Sequence, residues 1–198
     1  MQYTNETPVT QLNEGQKSYL LAQARTAIEH GASTGHLPGI NFEKTDQSLL
    51  ADGCSFVTLH KNGQLRGCIG ALTPYQPLVK DVMAHAFAAA FKDPRFDPVS
   101  QEEVPKLQIQ ISVLTPQEPI FFKSEAELLD QLTPLQDGLT LEAGLSHATF
   151  LPAVWENLPD KTNFLEQLKL KAGLSADYWS DTINAFRYQT ICFSEPTH

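Results

Sequence analysis

The sequence predicts an α+β fold with antiparallel sheets flanked by helices, and three observations carry that prediction. Asn62-Gly63 separates two β-rich runs, Cys54 to His60 and Leu65 to Ala71, and Asn-Gly between apolar runs is the strongest short hairpin signal. Asp137-Gly138 and Gly144 bracket a second pair of runs, 139–143 and 145–151, which reads as another hairpin. Helical patterns fall between these hairpins without a regular βαβ alternation, and that arrangement favours antiparallel over parallel sheet.

Asn13 with Gln16 resembles a capping box, and Tyr19, Leu20, Ala24, Ala27 and Ile28 recur at helical spacing until Gly31, where the first helix is expected to stop. Residues 32–50 carry Gly35, Pro38 and Gly39 and read as a long loop. Pro77 opens an alanine-rich helix with Val79, Val82, Ala86, Phe87 and Ala90 on its apolar stripe, ending before Asp93-Pro94. Ser100 and Glu103 form a second capping box for a short turn closed by Pro105, and Leu107, Ile109, Ile111 and Val113 alternate with polar residues as a half-buried strand. Ser124 caps a third helix, and Phe164, Leu165, Leu168 and Ala172 build a fourth that stops at Gly173. Ser175 is read as the cap of a last short helix, and residues 186–193 as one closing strand.

Composition narrows the function classes. With 41% hydrophobic and 19% charged residues the 198-residue chain has the make-up of an ordinary globular protein, long enough to bury a sizeable core. A net charge of -9 opposes a sequence-independent grip on phosphate backbones, so nucleic acid is not expected as a partner. No apolar run approaches the ~20 residues a membrane helix needs, and Met1 to Gly15 lacks a signal-peptide core, so the expected location is cytoplasmic. Cys54, Cys68 and Cys192 are an odd number without Cys-x-x-Cys spacing, and no phosphate-loop, dinucleotide or paired-histidine motif occurs. No metal or cofactor is therefore expected.

The chemistry concentrates in Leu65-Arg66-Gly67-Cys68-Ile69-Gly70. On a regular strand Arg66, Cys68 and Gly70 share one face, where a guanidinium beside a thiol favours the reactive thiolate and the glycines admit a ligand or another backbone. The structural alternative is a small buried cysteine with Arg66 in an ordinary ion pair. Asp93-Pro94-Arg95-Phe96-Asp97 offers Arg95 as a bidentate clamp for a carboxylate or phosphate, or else a helix-stop turn held by its own ion pair. His147 shares a strand face with Leu145, Thr149 and Leu151 and is expected to be partly buried, either satisfied by backbone or serving as a base for Cys68. His85 lies at the boundary of its helix's apolar stripe, and Glu142 is expected to face solvent.

The hexapeptide resembles the hallmark motif of the AMMECR domain family, whose prokaryotic branch is called AmmeMemoRadiSam system protein A. The likeness continues in order through Asp93-Pro94-Arg95-Phe96, the strand before Pro116, Asp137-Gly138-Leu139, Leu151-Pro152 and Lys171-Ala172-Gly173-Leu174, and it spans about residues 12–193. Ala153 departs from the glutamine usual after Leu-Pro, and 144–147 lacks the basic residue often found there. The resemblance implies a single AMMECR-like domain over 1–198, made of two closely packed subdomains sharing one core. It also implies association with a Memo-like protein and a radical SAM protein.

Two function classes follow. In one, the chain is a binding and assembly component of a modification pathway, taking a small molecule or peptide at Gly67, Gly70, Asp93, Arg95 and His147. In the other, it is a small thiol-dependent enzyme with Cys68 as nucleophile and Arg66 lowering its pKa or binding an anionic substrate. The absence of an evident base or metal constellation favours the first. On the second, Cys68 is expected to alkylate faster than Cys54 or Cys192, and Arg66→Gln to slow it.

Overall fold

The strands that the alternating patterns predict assemble around two separate buried clusters in a computed structural model that describes residues 10–196. Of the N-terminal segment read above, residues 1–9 lie outside the described residues. The chain divides into two compact units, one running to Leu114 and taken up again from Ile191, the other Thr115–Thr190.

In the first unit α1 (Glu14–Thr34) carries the expected box, with Asn13 accepting from the Gln16 N–H and Gln16 accepting from the Asn13 N–H, both at 2.9 Å. The helix continues past Gly31 to a left-handed Gly35 cap. Gly31 is instead a packing residue, since a Cβ there would stand 2.4 Å from the Phe91 ring. The expected loop after it contains two 3-10 turns, Phe42–Lys44 and Gln47–Leu50. A small ladder joins β1 (Asp52–Gly53) to β4 (Gln76–Pro77). The hairpin of β2 (Ser55–Lys61) and β3 (Gln64–Gly70) turns through Asn62 and Gly63, both at positive φ, as a two-residue hairpin turn with Asn-Gly requires. Next come α2 (Leu78–Phe91) and β5 (Leu107–Leu114).

The first sheet has the order β10-β5-β2-β3, with β10 being Thr190–Ser194. Val57, Leu59, Ile109, Ile111 and Val113 turn one face onto α1 and α2, where Leu20, Ala24, Ile28, Val82, Met83 and Ala86 complete the cluster. The alternate residues Phe56, Thr58, Gln110 and Ser112 remain half-buried on the other face. Burying one face and leaving the other polar is the usual arrangement for an antiparallel sheet.

In the second unit the strands are β6 (Glu118–Ile120), β7 (Gly138–Ala143), β8 (Ser146–Phe150) and β9 (Asn184–Tyr188), in the order β6-β9-β7-β8. The helices α3 (Glu125–Gln131) and α4 (Lys161–Lys171) supply Leu128, Phe164, Leu165 and Leu168 to its core, and Trp155 stacks on Phe164 at 3.6 Å. Ser175 caps no helix; it begins a turn closed by the Tyr178 N–H on its carbonyl. The single closing strand expected over 186–193 is two strands in two sheets, interrupted at Gln189. There the backbone leaves the ladder to bond Thr115 in both directions, while the Gln189 side chain reaches Asp137. Helices and antiparallel sheets together make the fold α+β, and among the described residues no helix is long and apolar enough to cross a membrane.

Candidate functional site

The hexapeptide forms β3, the edge strand of the first sheet. Its register with β2 steps by one residue. Lys61 pairs Gln64 and His60 pairs Leu65, but Leu59 pairs Gly67 and Thr58 pairs Cys68, so Arg66 is the extra residue of a β-bulge. Regular alternation, which would have put Arg66 on the face of Cys68, is therefore broken at Arg66, and the bulge re-aims its side chain. Arg66 Nε and Nη2 donate to the two carboxylate oxygens of Glu103, each at 3.2 Å, and Nη2 also donates to the Asp97 carbonyl at 2.9 Å. Glu103 in turn accepts from Lys61 Nζ at 2.6 Å and from the Ser100 N–H at 3.1 Å. The Arg66 guanidinium, then Lys61, pull the Glu103 carboxyl down to about 2.

Both glycines of the motif are filled by the chain itself. A Cβ on Gly67 would lie 2.1 Å from the Ala89 carbonyl oxygen of α2, and one on Gly70 would lie 2.3 Å from the Phe56 ring. Here the missing side chains let a helix backbone and an aromatic ring approach the strand.

Cys68 is half-buried, and its Sγ accepts from Thr58 Oγ1 at 3.3 Å. On the outer edge of β3 the Asp93–Asp97 turn supplies the two bonds that a neighbouring strand would make. The Cys68 N–H donates to Asp93 Oδ2 at 2.9 Å, and Arg95 Nη2 donates to the Cys68 carbonyl at 3.3 Å. Covering an edge in this way removes a template for unwanted strand pairing. Asp93 is buried and fixed by Arg95, whose Nε and Nη2 donate to its two oxygens at 2.9 and 2.7 Å. Those bonds from Arg95 hold the Asp93 carboxyl well below the usual carboxylate range, and Asp93 raises the Arg95 guanidinium in return. Phe96 sits against both arginines, with its ring centroid 5.8 Å from Arg66 Cζ and 5.5 Å from Arg95 Cζ.

The structure thus joins five of the residues singled out in the sequence, Arg66, Gly67, Cys68, Asp93 and Arg95, with Gly70 two residues on. His147 is not among them. It lies on β8 in the second unit and is exposed, opposite Glu142. On that strand face the Tyr188 hydroxyl closes over Thr140 and Thr149, whereas 142 and 147 lie nearer the open hairpin tip, where Leu145 is fully exposed. Three side chains of the first unit escaped sequence reasoning. Glu103, which in sequence has only the spacing of a local cap, binds Arg66 and Lys61 as well as the Ser100 N–H. Thr58 reaches Cys68 through the bulged register. Asp81, fully buried, accepts from Ser55 Oγ at 2.7 Å and engages His85 Nδ1 at 3.1 Å, which makes His85 a buried partner rather than a boundary residue. The (i, i+4) spacing of Asp81 and His85 was the available signal. Among the described residues no group of three or more His, Cys, Asp or Glu side chains is placed to hold a metal.

The cation that bonds Cys68 is Arg95, whose Nη2 donates to its backbone carbonyl at 3.3 Å. Burial, then Asp81, pushes the Cys54 thiol up to about 12. Cys54 is therefore expected to alkylate last of the three, and Arg95→Gln to change the Cys68 rate more than Arg66→Gln does, since Arg95 bonds the Cys68 carbonyl whereas the bulge turns Arg66 away to Glu103. Site-resolved mass spectrometry after brief alkylation checks both, and equal labelling of Cys54 and Cys68 would contradict the first.

An α+β protein whose edge strand is bulged at an arginine, spaced by packing glycines and covered by an Asp-Pro-Arg turn is a defined structural class. The AMMECR1 family model matches residues 21–193, and the chain belongs to that family. A protein of Methanothermobacter thermautotrophicus is 38% identical over 146 residues, 71% of this chain and 74% of its own length. A protein of Saccharolobus islandicus is 34% identical over 194 residues, 94% of this chain and 85% of its own. The crystal structure of an uncharacterised protein from Pyrococcus horikoshii superposes with a TM-score of 0.76 at 34% identity, covering 89% of this chain and 90% of that one.

Proposed function

We propose that the chain is a binding and assembly component rather than an enzyme, acting in the cytoplasm in a modification pathway with a Memo-like and a radical SAM protein. The observation that carries the non-catalytic half is the surroundings of Cys68. Its sulfur is hydrogen-bonded to the Thr58 hydroxyl, and the neighbouring Asp93 carboxylate, the candidate base, is already engaged by the Cys68 N–H and by Arg95. A thiol nucleophile needs such a base or a dedicated cation, and the Arg66 and Arg95 guanidiniums are both held by carboxylates. The pathway half is supported by the resemblance of the hexapeptide and the co-linear motifs to the AmmeMemoRadiSam branch. A small molecule or peptide is received at the half-buried polar face around Cys68 and Arg95. A second reading, a thiol enzyme on Cys68, is favoured only by the half-exposed sulfur of a residue whose carbonyl Arg95 bonds.

Sedimentation titration of the purified chain against the Memo-like and radical SAM proteins tests the proposal. A saturable complex with at least one of them is expected; independent sedimentation of all three would overturn it.

A further inference from the structure

The last strand, β10, is held differently from its neighbours. None of its five residues is fully buried, and Ile191 and Phe193 only lean on the cluster that Val57, Leu59, Ile109 and Ile111 fill from β2 and β5. It lies at the edge of its sheet, beside β5. Before it, at Gln189, the backbone leaves the ladder for Thr115. Just after it stands Glu195, the one charged residue of 190–195. The Glu195 carboxylate accepts from Arg25 Nε at 3.0 Å, from Arg25 Nη2 and from the Ile109 N–H at 2.9 Å. Its own N–H donates to the Ile109 carbonyl at 2.9 Å, and the Gln108 side chain donates to its carbonyl at 3.0 Å. One residue thus grips β5 through both of its backbone groups and its side chain. Arg25, on α1, also donates to the Val104 and Leu107 carbonyls at 2.7 and 2.8 Å, which fix its guanidinium independently of Glu195. The two side chains are only 20% and 18% exposed, and charge-assisted bonds are stronger there than at an open surface.

We infer that residues 190–195 form a strap closed by the Arg25–Glu195 clasp: β10 opens from β5 as a unit while the rest of the first unit stays folded, and the clasp sets how often it opens. Segments that bury few apolar groups open locally, at a free energy below that of global unfolding. β10 is such a segment, half-buried at a sheet edge between a break in the ladder and a single charged anchor. Its opening leaves the inner faces of β2 and β5 packed under α1 and α2, because their buried residues do not depend on it. It frees the outer backbone edge of β5, and an unpaired edge is where another extended segment pairs. Reclosure is favoured because Arg25 stays pre-organised by the two carbonyls, so little side-chain freedom is lost when Glu195 returns.

Native-state hydrogen exchange of the intact chain, followed by NMR amide by amide at low urea concentrations, tests this. The β10 amides bonded to β5 are expected to exchange through a local opening that hardly responds to urea, and the amides of β2 and β7 only through a larger, urea-dependent one. Glu195→Gln keeps the shape of the side chain and removes its charge. It is expected to speed β10 exchange about tenfold or more, the effect of losing a hydrogen bond to a charged group, and to leave β2 and β7 unchanged. Exchange of β10 together with β2 in the wild type overturns the inference. So does a folded Glu195→Gln variant in which β10 exchange is unchanged, or in which β2 is accelerated equally. The wild-type comparison decides the strap by itself where the variant fails to fold.

Discussion

Gly67→Ala is expected to destabilise the protein by about 3 kcal/mol, lowering the melting temperature by roughly 6–12 °C for a chain of this size. The added methyl would stand 2.1 Å from the Ala89 carbonyl oxygen, an atom of helix backbone that has no rotamer in which to escape. Either α2 lifts from β3 or the strand is pushed away, and both open the packing of Val82, Met83 and Ala86 against Val57 and Leu59. Gly39→Ala is the matched control, because a Cβ there meets nothing within 4 Å. Calorimetry of the two variants checks this, and a Gly67→Ala shift of less than about 2 °C would mean that the helix does not rest on the strand as described.

Glu103→Ala should cost roughly 2–4 kcal/mol, between the values for exposed and fully buried ion pairs, because it removes one acceptor from two cations at once. Arg66, whose side chain is 14% exposed, would lose both of its charged hydrogen bonds and keep only the Asp97 carbonyl. The same carboxylate gives a pH signature. Its folded pKa is lowered from 4.5 to about 2, so its contribution is fully present above about pH 4.5 and is lost as the pH falls towards 2. Asp93, also lowered, adds loss in the same direction at still lower pH. Urea midpoints at pH 7 and pH 3 should therefore fall further for the wild type than for Glu103→Gln; equal falls would remove Glu103 from the acid response.

The elements that the sequence made legible are those whose signals are local. Asn62-Gly63 turns the hairpin at positive φ, the Asn13 box starts α1, and the alternation of 107–113 is a strand with its apolar face inward. The misreadings come from residues whose meaning is tertiary. Gly31 resembled a helix stop because a helical glycine and a terminal one look alike until Phe87 and Phe91 are seen against it. The strand expected over 186–193 gives no hint in its β-rich pattern that Gln189 would leave the ladder for Thr115. At the site, the residue types were readable and their pairing was not. One bulge residue moved Arg66 from the thiol to Glu103 and brought Thr58 opposite Cys68, and a one-residue register step carries no sequence mark of its own.

If the edge strand serves recognition as proposed, the Cys68 sulfur, hydrogen-bonded to Thr58, performs no chemistry. The most direct measurement is the affinity of Cys68→Ser for the Memo-like and radical SAM proteins in the sedimentation titration, accompanied by intact-mass analysis of the wild-type chain recovered from the mixture. Cys68→Ser is expected to form the complex with wild-type affinity, and the recovered chain to carry no added mass. Loss of the complex in a folded Cys68→Ser variant, or a covalent adduct located on Cys68, would contradict it.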